Sequence, residues 1–126
     1  MEKKILLDTN IFIDHLRGYG PAQTFFSSLL DKEISFSAIT ESELLAGSIN
    51  QSPEKRELLL QFLEQWRKVS VDNPLAAVAG DLSRVYKMDI PDAIIAASAL
   101  QEGSTLITKN LKDFQKIKGL KVLAPY

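Results

Sequence analysis

The chain has no cysteine and only one histidine, His15. Without thiols there is no disulfide scaffold, no thiol nucleophile, no zinc finger and no iron–sulfur ligation. A single histidine also excludes a histidine-rich metal centre and a paired-histidine phosphodiesterase. Long apolar runs are missing too: no uncharged stretch approaches the roughly 18 residues of a bilayer span. No membrane partner is expected. The first apolar run, Ile5-Leu6-Leu7, is too short for the core of a secretory signal, so a cytoplasmic protein is the default expectation. Nor is there an excess of charge. Fifteen Lys and Arg face sixteen Asp and Glu, for a formal net charge of −1, which supplies no overall attraction to a polyanion. The distribution is uneven, however. Five lysines (109, 112, 116, 118 and 121) and one acid, Asp113, lie between Lys109 and Lys121, so this segment carries +4 and the remainder −5. A basic end on an acidic body suits a polyanion contact, and equally a solvated face.

What is present is ordinary for a globular protein. The chain is 126 residues long, 45% apolar and 25% charged, which predicts a single domain over residues 1–126. Ile5 to Leu7 reads as a buried strand ending at Asp8, and Asn10 is placed to cap a first helix carrying Ile11, Phe12 and Leu16. Pro21 opens a second helix through Leu30. Ile34 to Ser37 alternates as a strand, and Thr40 begins a helix ending near Gly47. Ser52-Pro53 starts a helix with Leu58, Leu59, Phe62, Leu63 and Trp66 on one side. Val69 to Val71 reads as a third strand, and Asn73-Pro74 opens a helix to Tyr86. Pro91-Asp92 opens the most apolar helix, stopped by Gly103. A fourth strand over Ser104 to Thr108, a helical turn capped by Asn110 and a short strand at Val122-Leu123 complete the pattern. Strands alternating with helices predict an α/β fold: a central, mostly parallel sheet of four or five short strands with helices on both faces.

In such a sheet ligands bind beyond the carboxyl ends of the strands. Asp8 falls where the first strand ends. Glu43 falls in the first turn of the helix after the second strand, Asp92 in the first turn of the most apolar helix, and Asn110 and Asp113 in the first turn after the fourth strand. Each has a plain structural explanation. Asp8 can cap a helix, Thr40 to Glu43 matches a capping box, Asp92 complements a macrodipole, and Asn110 with Asp113 resembles a cap pair. His15 reads as a surface residue, and Phe25, Phe26 and Trp66 as core or as a dimer surface. Taken together, however, four distant segments deliver carboxylates to one sheet edge. Like charges raise one another's pKa, and helix N-termini offset only about 0.3–1 kcal/mol each. A divalent cation offsets far more. An all-oxygen donor set suits Mg²⁺ or Mn²⁺, and such an ion can polarise a phosphoryl oxygen and lower the pKa of a bound water, which makes a phosphodiester hydrolase a plausible reading.

Leu6-Leu7-Asp8-Thr9-Asn10, followed by an apolar helix, resembles the first motif of the PIN-domain nucleases. Ile39 to Gly47 resembles their second motif, with Glu43 at the acid position. Asp92-Ala93-Ile94-Ile95-Ala96-Ala97 is similar to the third, and Leu106 to Phe114 to the fourth. The resemblance runs from Ile5 to Pro125, and its order and spacing are similar to those of VapC-type toxins. It implies a Mg²⁺- or Mn²⁺-dependent endoribonuclease in which Asp8, Glu43 and Asp92 bind the metal and Asp113, with Asn110, completes the catalytic site. It implies supporting roles for Thr9, Asn10 and Thr108, which orient a carboxylate or a water. Lys109 and Lys112 are the implied contacts to the RNA backbone, which position a strand without reading its sequence. It also implies a homodimer neutralised by a small VapB-like antitoxin. Many members carry an aspartate where Asn110 stands. A neutral amide is the weaker ligand, so one or two ions remain open. Asp89 stands outside the motif.

Three other readings use the same residues. A catalytically inactive PIN-fold module would bind RNA or protein, and an RNA-processing PIN nuclease would act outside a toxin–antitoxin pair. A phosphotransfer enzyme also has a strand-end aspartate. A dehalogenase-like site, though, needs a second acid where Asn10 stands, and a receiver domain needs a pair of acids where Asp8 stands alone.

Overall fold

The computed structural model describes residues 3–47 and 52–126. Its elements follow the chain as β1 (Lys4–Leu7), α1 (Thr9–Leu16), α2 (Gly20–Ser27), β2 (Glu33–Ser37), α3 (Ala38–Ala46), α4 (Pro53–Leu63), β3 (Arg67–Val69), α5 (Asn73–Tyr86), α6 (Ile90–Glu102), β4 (Thr105–Ile107), α7 (Leu111–Phe114) and β5 (Val122–Leu123). The strands form one five-stranded sheet in the order β3-β2-β1-β4-β5, with every neighbouring pair parallel. The chain builds outward from β1 through β2 to β3, then crosses back and builds outward through β4 to β5. The order therefore reverses between β1 and β4.

Alternation along β1 fixes the two faces of the sheet. Leu6 joins Leu106, Leu75, Ala79 and the buried face of α6 in one core cluster. Ile5 and Leu7 join Ile107, Ile11, Phe12, Phe36 and Leu63 in the other. All three β1 residues are fully buried, as a parallel strand covered on both sides requires. The second cluster contains a group of packed aromatic rings. The buried Phe12 ring lies 5.7 Å from Phe36, 5.8 Å from both Phe26 and Trp66, and 6.4 Å from Phe62. Trp66 and Phe26 are thus half-buried neighbours of the core, while Phe25 is buried. Among the described residues no helix is long and apolar enough to cross a membrane.

Several boundaries differ from expectation, each for a local reason. Asp8, not Asn10, caps α1, accepting from the Thr9 amide. Helix α3 starts at Ala38 because the Ser37 hydroxyl accepts from the Ile39 amide directly after β2. Thr40 and Glu43 therefore form no capping box, and Glu43 falls in the second turn. Helix α2 stops at Ser27, and Leu30 is 98% exposed. Strand β3 is shifted toward the N-terminus: Val69 pairs with Ser37 at its end, and Val71 lies exposed beyond it. Leu58 is exposed, so the buried stripe of α4 is carried by Leu59 and Leu63. Gly103 ends α6 at φ 63°, a left-handed conformation that suits glycine.

Phe12 is fully buried and packs α1 against Phe36 of β2. Phe12→Ala should lower the unfolding free energy by about 3–5 kcal/mol, read as a reduced urea midpoint. An unchanged midpoint would show that the aromatic cluster does not hold α1.

Candidate active site

The reversal between β1 and β4 is the place where an open α/β sheet leaves a crevice beyond its strand ends. Asp8 leaves β1 there and Thr108 leaves β4. The Asp8 amide donates to the Ile107 carbonyl at 2.9 Å. The Asp8 carboxylate is 5% exposed and held at both oxygens. Oδ1 accepts from the Thr9 amide at 2.7 Å, and Oδ2 accepts from the Thr108 hydroxyl at 2.7 Å. Thr108 Oγ1 in turn accepts from the Asn110 amide at 2.9 Å. Asp8 is therefore both the cap of α1 and a fixed anion at the switch point.

A second chain of bonds fixes Glu43. The Thr9 hydroxyl donates to Glu43 Oε1 at 2.7 Å and lies 2.9 Å from Thr40 Oγ1. With its one proton given to Glu43, Thr9 must accept from Thr40. The fully buried Thr40 thus orients Thr9, which orients Glu43. Sequence reasoning assigned Thr40 to a cap and missed this role. Its signal was the spacing: Thr40 and Glu43 lie three residues apart, on one face of α3. At the fourth segment the Asn110 side chain makes no cap. Its Nδ2 donates to Asp113 Oδ2 at 2.8 Å, so the amide positions the acid.

The charges of these acids act on one another. Burial, then the charges of Asp92 and Glu43, push Asp8 up to about 6, against the hydrogen bonds from Thr108 and Thr9. Burial likewise raises Asp92, reinforced by the charges of Glu43, Asp89 and Asp113. Asp92 thus lies within electrostatic reach of each of the other three predicted acids, and Asp8 of Asp92 and Glu43. Asp89, the residue preceding α6, belongs to their field although no motif marked it. Hard oxygen donors carrying this much negative charge fit a Mg²⁺ or Mn²⁺ ion, which would lower the raised pKa values. Among the described residues no three such groups stand close enough to enclose an ion as they are.

The flanking residues divide. Lys109 Nζ donates to Asp14 Oδ2 at 2.6 Å, so its charge is already paired. Tyr126 donates its hydroxyl to the same oxygen at 2.7 Å. Burial alone would raise Asp14, but these two bonds and the charges of Lys109 and Arg17 hold it below the ordinary carboxylate value. Lys112 is exposed on α7. Asn10 is half-buried, and its Oδ1 has no partner among the described residues. His15 is partly covered rather than fully exposed. It is half-buried, with ring centroids 4.4 Å from Phe26 and 5.3 Å from Phe62, and burial lowers its pKa.

The PIN domain family model matches residues 5–120. The chain is 33% identical over 116 residues to Ribonuclease VapC19 of Mycobacterium tuberculosis, covering 86% of this chain and 90% of that protein. It is 31% identical over 129 residues to Ribonuclease VapC1 of Rickettsia felis, covering 94% of each. Among solved structures, a toxin–antitoxin complex from Klebsiella pneumoniae contains a chain of 31% identity that superposes with a TM-score of 0.82, covering 97% of this chain and 98% of that one.

The raised Asp8 has a thermodynamic consequence. An acid whose pKa is higher in the folded than in the unfolded state costs stability above the folded value and nothing below the unfolded one. The cost should be absent below pH 3.8 and complete above about pH 6. In EDTA, Asp8→Asn should therefore be more stable than the wild type at pH 7.5, by on the order of 3 kcal/mol. The difference should shrink as the pH falls toward 4. Urea midpoints at the two pH values measure it, and a variant no more stable at pH 7.5 would show that Asp8 ionises without penalty.

Proposed function

The chain belongs to the PIN-domain family, and we propose from that premise that it is a Mg²⁺- or Mn²⁺-dependent endoribonuclease, the toxin of a toxin–antitoxin pair. The observation that supports the reading is that Asp8, Glu43, Asp92 and Asp113 come from four separate segments, with Asp8 raised by burial and by the charges of Asp92 and Glu43, and Asp92 by burial and by the charges of Glu43, Asp89 and Asp113. The names of the relatives, both ribonucleases, support the activity. The toxin–antitoxin complex among the solved structures supports the role. RNA is then the substrate, a small VapB-like antitoxin the partner, and a homodimer the working form.

Asp8, Glu43 and Asp92 would hold the ion, with Asp113 completing the set. When bound, the ion polarises the scissile phosphate and makes water a competent nucleophile near neutral pH. The chain's own residues supply the rest. Thr108 and the Thr9 amide keep both Asp8 oxygens in place, Thr40 through Thr9 aims Glu43, and Asn110 aims Asp113. Water attacks phosphorus and gives its proton to a carboxylate of the cluster. The bond from phosphorus to the 3′ oxygen breaks, and that oxygen takes a proton from solvent, leaving a 5′-phosphate and a 3′-hydroxyl.

Two measurements on one set of proteins test the reading. Mn²⁺ at a hundredfold excess over its Kd should stabilise the wild type by about 2.7 kcal/mol, and should stabilise Asp92→Asn far less. Cleavage of single-stranded RNA should be metal-dependent, and should fall at least about a hundredfold in Asp8→Asn and in Asp92→Asn. A wild type that answers to neither metal nor RNA would overturn the nuclease in favour of a binding module. A nuclease that has no antitoxin partner would overturn only the toxin role.

A further inference from the structure

Of the chain's aromatic side chains, two are exposed: Tyr19 at 50% and Tyr126 at 39%. They lie side by side, ring centroids 5.7 Å apart and tilted by 59°. Both belong to the cluster built on Asp14. The Tyr19 amide donates to the Asp14 carbonyl at 3.0 Å, and the Tyr126 hydroxyl to its carboxylate. The Lys109 ammonium, shared with that carboxylate, stands 6.0 Å from the centre of the Tyr19 ring. Lys109 directly follows Thr108, the residue that holds Asp8. Asp14 itself lies six residues along α1 from Asp8, about 9 Å by helical rise. Two exposed rings are thus fixed on one half-buried residue, Asp14, and Lys109, which shares its carboxylate, is the chain neighbour of the threonine that holds Asp8.

We propose that Tyr19 and Tyr126, held in place by Asp14 and Lys109, form a stacking platform for an unpaired base of the RNA strand next to the bond that is cut. The proposal rests on the nuclease reading and adds the kind of RNA it takes: single-stranded or looped, with a base free to leave its own stack. Single-stranded RNA is recognised in this way, on aromatic faces that accept any base. Tyrosine offers a large contact area with few rotatable bonds, and the Asp14 bonds settle the orientation of Tyr126 before the strand arrives. Lys109 contributes less to phosphate attraction than an unpaired lysine, because Asp14 already neutralises it. Here it buttresses the Tyr19 ring. Asp14 is a positioning residue and touches no substrate.

The test measures binding and cleavage separately. Fluorescence anisotropy in EDTA would compare a short labelled oligouridylate with the same strand carrying abasic nucleotides. A parallel assay would follow cleavage of the intact strand with Mn²⁺. The wild type should bind the intact strand more tightly than the abasic one. Tyr19→Leu and Tyr126→Leu should each weaken the intact strand about tenfold and leave the abasic strand unchanged. Tyr126→Phe, which keeps the ring, should lose much less. Both sites are exposed, so circular dichroism should show folded variants. If both leucine variants bind the intact strand as the wild type does while the wild type cleaves it, the platform is overturned and the nuclease stands. If they keep RNA binding and lose only the antitoxin, the rings are a protein contact and the platform is equally overturned. A wild type that neither binds nor cleaves overturns both readings.

Discussion

The hydrogen bond from the Thr108 hydroxyl to Asp8 spans a hundred residues of sequence and closes the sheet where its order reverses. Everything at the candidate site is placed relative to it. β1 and β4 are the neighbours between which the strand order reverses, and their carboxyl ends are where open α/β sheets bind ligands. Asp8 occupies the first position beyond β1, with its amide still held by Ile107. Its side chain cannot turn away without losing both the cap of α1 and the Thr108 bond. Thr108 in turn fixes the Asn110 amide, and with it the turn that presents Asp113. One buried hydroxyl thereby couples the first acid of the cluster to the last.

The arrangement is electrostatically costly. Burial dominates the rise of Asp8, with the neighbouring acids adding to it. Taking its pKa from 3.8 to about 6 corresponds to roughly 3 kcal/mol between the two protonation states. The N-terminus of α1, which Asp8 caps, returns only about 0.3–1 kcal/mol. The fold holds acids together at a loss that the helix termini do not cover, in a protein class whose total stability is about 5–15 kcal/mol. A hard cation binding the assembled cluster would offset such a loss. The threonine bonds show the same priority. Thr9 and Thr40 are buried polar groups whose hydroxyls end on Glu43, so core volume is spent on aiming a carboxylate rather than on packing.

The parts of this picture that were legible in the sequence are those set by local patterns. The run Ile5 to Leu7 with an acid at its end, the proline-opened helices, the stop at Gly103 and the strand–helix alternation all follow from short-range rules, and the sheet agrees with them. The positions of Asp8, Asp92 and Asp113 at element junctions were legible for the same reason. What was hidden depended on contacts between distant segments. Ser37 and Thr40 are both plausible caps, and only the end of β2 decides that Ser37 takes the role and frees Thr40 to face Thr9. Lys109 looks like an unpaired cation until α1 brings Asp14 beside it. His15 looks polar and therefore external until α2 and α4 bring Phe26 and Phe62 against it. Strand β3 was misplaced by two residues because Val71 has the composition of a strand residue, while register against β2 ends the pairing at Val69.

A cluster of acids and a polyanionic strand repel each other, so affinity for RNA must come from somewhere other than the cluster. The lysines of 109–121 are the obvious source, but the nearest of them, Lys109, is paired with Asp14 at 2.6 Å. Pairing a cation beside an acidic centre shortens the reach of its field and leaves its position more fixed than its charge is useful. A contact that does not depend on net charge is then the more economical way to hold a strand at this edge. Aromatic stacking is such a contact, tolerant of base identity and little weakened by neighbouring carboxylates. On the nuclease reading the labour would then be divided, with lysines further along, such as the exposed Lys112, attracting the backbone at longer range and the rings on Asp14 holding a base beside the site.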